Sequence, residues 1–179
     1  MTRDAVAILG TGLGILDGLA ADLQAHGMTV RRSRHPHQGR TFGRIVLGVA
    51  YQWRRNWLSN SISRWKLNNA LVNVEDSIAQ NGIVLVMVQL IGVPPTRIVA
   101  VMDRLSAIAE NATARAVNFR GHDATINFLA FDETTQRSLI HRRVFNYVRS
   151  AGRITTGECV HSCELETCSL QDALNGHVL

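Results

Sequence analysis

The sequence predicts an α+β fold of two successive βαββαβ units, on three observations. The same order of elements runs twice through 179 residues, a hairpin signal follows the first helix in each half, and a polar stretch over 75–82 separates the halves. With 46% hydrophobic residues the chain can bury a core. The predicted boundaries are 1–78 and 79–160, followed by a tail over 161–179.

Residues 5–9 form a short apolar run, the pattern of a buried strand, which ends in the turn Gly10-Thr11-Gly12-Leu13-Gly14. Helical spacing follows, with Leu16, Leu19, Ala20 and Leu23 on one face and Gly27 where a helix would stop. Strands are predicted over 29–34 and 41–51, paired as a hairpin through a loop containing His35, Pro36, His37 and Gly39. Trp53, Trp57, Leu58, Ile62 and Trp65 place a helix over 53–67, and 71–74 closes the unit as a strand.

The second unit opens with a strongly apolar strand over 83–91. Pro94 and Pro95 start a helix whose Ile98, Val101, Met102, Leu105 and Ile108 share a face. Strands over 113–119 and 124–131 flank the turn Arg120-Gly121-His122-Asp123. Ile140, Val144, Tyr147 and Val148 mark a last helix, Gly152 ends it, and 153–160 supplies the final strand. Each unit would cover one sheet face with two helices and leave another face for a partner.

The formal charge of +5 sits entirely in the first half, and no acid occurs from Leu23 to Val74. Arg31, Arg32, Arg34, Arg40 and Arg44, with three Trp, raise the alternative of a nucleic-acid-binding surface; packing of the Trp face is the plainer account. The apolar N-terminal stretch is too short to span a bilayer, and no signal peptide or membrane span is read. Three cysteines, clustered near the C-terminus, do not suit a disulfide-stapled domain, so a reducing, cytoplasmic setting is expected. Cys159, His161, Cys163 and Cys168 carry zinc-ligand chemistry in a spacing that matches no common finger, leaving unligated thiols as the other reading. No nucleophile, base and orienter can be assembled from the residues, so no catalytic residue is assigned.

The N-terminal half resembles an ACT domain. Thr11-Gly12-Leu13-Gly14-Ile15-Leu16 stands where that family has Asn-x-Pro-Gly-x-Leu, and Gly27-Met28-Thr29-Val30 where it has Gly-x-Asn-Ile. From Ala5 to Gly157 the chain is similar to the small, regulatory subunit of acetolactate synthase, in which an ACT domain precedes a second ferredoxin-like domain. The segments Phe42-Gly43-Arg44-Ile45-Val46-Leu47, Leu67-Asn68-Asn69-Ala70-Leu71-Val72-Asn73-Val74, Ala114-Arg115-Ala116-Val117-Asn118-Phe119 and Val148-Arg149-Ser150-Ala151-Gly152-Arg153-Ile154 carry the likeness.

The resemblance implies two ferredoxin-like domains, dimerisation through the ACT domains, and no cofactor on this chain. It implies a non-catalytic subunit that activates a catalytic partner carrying thiamine diphosphate, Mg and FAD in branched-chain amino-acid biosynthesis. Feedback inhibition by valine or a related effector would act through Thr11, Gly12, Leu13, Gly14, Ile15, Leu16, Thr29 and Val30. A stand-alone tandem-ACT regulator is the other reading in that class. The turn itself supports a ligand, since glycines admit close backbone approach and a helix N-terminus receives a carboxylate; a plain tight turn explains it equally. Thr11 and Thr29 replace the family's asparagines and lose the amide's paired donor and acceptor. The Gly10, Gly12 and Gly14 spacing is not a dinucleotide fingerprint: no G-x-x-G follows, and no acid ends the second strand.

Overall fold

The computed structural model describes residues 5–10, 13–33, 41–53, 57–121, 123–149 and 156–176. They form one sheet of six parallel strands: β1 (Ala5–Leu9), β2 (Thr29–Ser33), β3 (Phe42–Gln52), β4 (Ile78–Ile91), β5 (Thr125–Asp132) and β6 (Cys159–His161). The spatial order is β2-β1-β3-β4-β5-β6. Helices α1 (Ile15–Ala25), α2 (Trp57–Glu75), α3 (Ile98–Arg120), α4 (Arg137–Arg149) and α5 (Leu170–Leu174) cover it on both sides.

Two cores follow from the strand period of two. Ala5, Ala7 and Leu9 of β1, Val84, Val86 and Val88 of β4, and Ile126 and Phe128 of β5 meet Leu67 and Leu71 of α2 and Val101, Leu105 and Ala112 of α3. The alternate residues Val6, Ile8, Val46, Leu85, Met87 and Leu129 meet Leu16, Leu19 and Leu23 of α1 and Ile140, Val144 and Tyr147 of α4. Strands buried on both faces read as continuous apolar runs, which is what parallel sheets need because their crossovers put helices on the faces.

The predicted pair of ferredoxin-like units is therefore incorrect: a single all-parallel α/β sheet replaces two βαββαβ domains with antiparallel sheets. β2 and β3 do not form a hairpin; both pair with β1 in parallel, one on each side. Residues 71–74 continue α2, with Leu71 and Val74 in the same buried stripe as Leu67. Residues 113–119 continue α3, where Ala112 and Ala116 lie against the sheet. The stretch read as a linker ends α2 and begins β4, the second-longest chain of ladder pairs in the sheet being its contact with β5. Two segments that carried the family likeness, at 67–74 and 114–119, are thus helical throughout, including the strands predicted within them at 71–74 and 114–119. No helix among the described residues is long and apolar enough to cross a membrane.

Candidate functional site

In a doubly wound sheet, ligands bind outside the carboxyl ends of the strands, where successive crossovers diverge to opposite faces. Here that point lies between β1 and β3. The chain leaves β1 through α1 on one face, and it leaves β3 through α2 on the other. β1 stops at Leu9, opposite Leu47, while β3 runs on to Gln52. Those extra residues, at roughly 3.3 Å each, raise a wall of about 16 Å beside the end of β1.

Two glycines form the floor of this step. Gly10 has φ +105° and donates its N–H to the Ser33 carbonyl of β2 at 3.3 Å. A Cβ on Gly10 would stand 2.2 Å from the Gly48 carbonyl oxygen of β3. A Cβ on Gly48 would stand 2.5 Å from Leu16 Cδ1 and 2.8 Å from Leu13 Cδ1. The missing side chains let β1, β3 and the start of α1 interlock, with Leu13 and Leu16 buried beneath the turn.

Above them, α1 begins at Gly14 with no side-chain cap. Its first turn closes by Leu16 N–H to the Leu13 carbonyl at 2.9 Å and Asp17 N–H to the Gly14 carbonyl at 3.3 Å. The positive end of the helix dipole faces the crevice at this point. Arg32 of β2 reaches the same turn and pairs with Asp17; both side chains are exposed.

Of the residues predicted to hold an effector, Thr11 and Gly12 lie outside the described residues. Leu13 and Leu16 are buried packing groups, and Gly14 and Ile15 start the helix. Thr29 and Val30 stand opposite Ala5 and Val6, at the amino end of the sheet, four strand steps or about 13 Å from the level of Ser33. The structure does not bring them to the turn. Sequence reasoning missed Gly48, and it set Arg32 in a possible nucleic-acid surface rather than beside this turn; a lone glycine inside the apolar run 45–51 was the available signal for the first. In the Arg/Trp tract, Trp53 packs against the α2–α3 core and Trp65 is 63% exposed. Arg34 and Arg40 lie outside the described residues, as does the Trp57 side chain.

The cysteines do not converge. Cys159 lies in β6 and packs against the core, Cys163 is exposed, and Cys168 donates to the Glu164 carbonyl at 3.1 Å. His161 Nδ1 accepts the Cys163 backbone N–H at 3.3 Å and lies 3.1 Å from its Sγ. Among the described residues no group of three or more His, Cys, Asp or Glu is arranged to hold a metal ion. Burial, with Glu164 and Glu158, pushes the Cys159 thiol up to about 12, and burial with Glu164 also raises Cys163. Cys163 is expected to react first with a disulfide reagent such as DTNB, and Cys159 only on unfolding, as mass spectrometry of timed samples would show. Because the folded pKa of Cys159 is raised, its contribution to stability is complete below pH 9 and is lost as pH climbs toward 12.

No protein-family model matches the chain, and no curated protein matches it either. Among solved structures it is similar to BdcA (YjgI) from E. coli, with a TM-score of 0.52 over 90% of this chain and 97% of that one. The two are 16% identical, so the likeness concerns the fold.

That likeness and the parallel sheet overturn the acetolactate synthase reading: the described residues form no ACT domain, and hence there is no ground for an activating, valine-sensing subunit or a tandem-ACT regulator. The nucleic-acid alternative gains no support from them. The view of the chain as a non-catalytic subunit rested on the same resemblance and falls with it. In doubly wound sheets generally, the crevice at the carboxyl edge is where ligands bind.

Proposed function

We propose that the chain binds a pyrophosphate-bearing dinucleotide of the NADP type across the carboxyl edge of the sheet. The observation that supports this is the glycine-floored step between β1 and β3 beneath the uncapped start of α1. Backbone amides and the helix dipole there favour a diphosphate.

The local residues fit the phosphates in their own way. In the usual fingerprint a glycine on the helix gives close helix–strand packing. Here the helix carries Leu16, and Gly48 on β3 supplies the room instead. An acid at the end of the second strand normally bonds the ribose diol, whereas an arginine accommodates a 2′-phosphate. This chain has Arg32 there, engaged with Asp17, and no acid in β2. When bound, a nicotinamide dinucleotide supplies hydride chemistry; the chain's residues hold and orient it.

Isothermal titration with NADP⁺ and NAD⁺ tests the proposal. The expected result is tighter binding of NADP⁺ by about tenfold, a difference of about 1.4 kcal/mol. R32A should erase the preference and leave thermal stability nearly unchanged, because an exposed ion pair contributes about 0–1 kcal/mol. Binding of neither dinucleotide would sink the proposal, and equal binding of both would remove the role of Arg32.

A further inference from the structure

A second polar concavity lies on the opposite face, between α2 and α3. It encloses about 340 Å³ and is lined by Arg64 and Asn68 of α2 and by Arg104, Asn111 and Arg115 of α3, over the buried Ile108. Three guanidinium groups on one groove repel one another unless anions answer them.

One answer is built in. Arg115 donates through Nε and Nη2 to Glu75 Oε1 at 3.1 and 2.7 Å, and the Glu75 side chain is only 5% exposed. The other two arginines have no such answer: among the described residues neither Arg64 nor Arg104 forms an ion pair. Their positions follow from the pairing of Glu75 with Arg115. Arg64 precedes Glu75 by eleven residues, as Arg104 precedes Arg115, and both helices run from the carboxyl to the amino edge of the sheet. Arg64 and Arg104 therefore stand level across the groove, about 16 Å along it from the Glu75–Arg115 pair. Asn111 ties its amide to the Ala107 carbonyl at 2.7 Å, and Asn68 lies one turn below Arg64 on the groove side.

We infer that the Arg64–Arg104 end of this groove is a binding site for a phosphate-class oxyanion. Two planar guanidinium forks on facing helices match the oxygens of a phosphate or diphosphate, and such charge-assisted bonds are about twice as strong as neutral ones. The site is independent of the crevice at β1 and β3, since α2 and α3 cover the face away from α1.

The probe is inorganic pyrophosphate, titrated calorimetrically at low ionic strength. To silence the turn at α1, the titration uses the G14D background, in which a carboxylate occupies the start of that helix. One pyrophosphate per chain is expected to bind, and R64Q/R104Q in the same background should weaken it at least tenfold. R137Q/R142Q removes two exposed charges from α4, on the other face, and should change affinity less than twofold. Absence of binding in the G14D background, unchanged affinity in R64Q/R104Q, or an equal loss in R137Q/R142Q would each overturn the site. Gln preserves helix propensity at both exposed positions, so fold and binding are separable.

Discussion

Gly10→Ala should lower the melting temperature by about 6–12 °C. The substitution adds two costs at one atom. The backbone has φ +105°, a conformation L side chains rarely adopt, and the new Cβ would stand 2.2 Å from the Gly48 carbonyl oxygen. A backbone oxygen of a residue held in the β3–β4 ladder cannot swing aside as a side-chain tip can. A cost of about 3 kcal/mol is expected, and a chain of this size loses about 2–4 °C per kcal/mol. Gly27→Ala is the matched control: Gly27 has φ +81°, but a Cβ there meets nothing within 4 Å. It should cost only about 1 kcal/mol. Equal melting of the two variants in differential scanning calorimetry would show that β1 and β3 do not meet so closely at the switch point.

Gly14→Asp separates binding from stability. A Cβ at Gly14 meets nothing within 4 Å, and its φ of −56° suits any residue. A carboxylate at a helix N-terminus is favoured by about 0.3–1 kcal/mol, so the fold should hold or gain slightly. The same charge sits where the diphosphate of a dinucleotide would lie. Affinity for NADP⁺ should fall at least tenfold in calorimetry with no loss of melting temperature. Unchanged affinity would place the ligand elsewhere.

How much of this was readable in the residues differs from segment to segment. The runs 5–9 and 83–91 lie in buried strands and the stripe Leu16, Leu19, Ala20, Leu23 on a helix, as their sequence patterns predict, because each pattern is decided by local period alone. The partners of those strands were not local. Segments 29–33 and 42–52 look like a hairpin in one dimension, yet each finds β1, from which they are separated by a helix or by more chain. The apolar character of β3, β4 and β5 on both faces was the sign of a parallel sheet, since a hairpin half-exposed to water would alternate.

Two helical stretches were mistaken for strands for a common reason. Val72 and Val74 in α2, and Val117 in α3, raise β propensity over a few residues, while packing decides the outcome over many. Leu67, Leu71 and Val74 fall at helical spacing, as do Leu105, Ala109, Ala112 and Ala116, and burial of those stripes outweighs the valines. The importance of the turn after β1 was visible, since its glycines stood out; its setting was not. Thr29 and Val30 were joined to it by a family pattern, whereas the parallel register carries them to the other end of the sheet. Gly48 could acquire its meaning only once β3 lay beside β1.

Backbone amide shifts on titration with NADPH report where on the sheet the dinucleotide sits. The largest changes are expected at Gly10, Gly14, Ile15 and Ser33, at the carboxyl edge around the switch point. Changes confined to Thr29, Val30 and the amino edge, or none at saturating ligand, would contradict this placement.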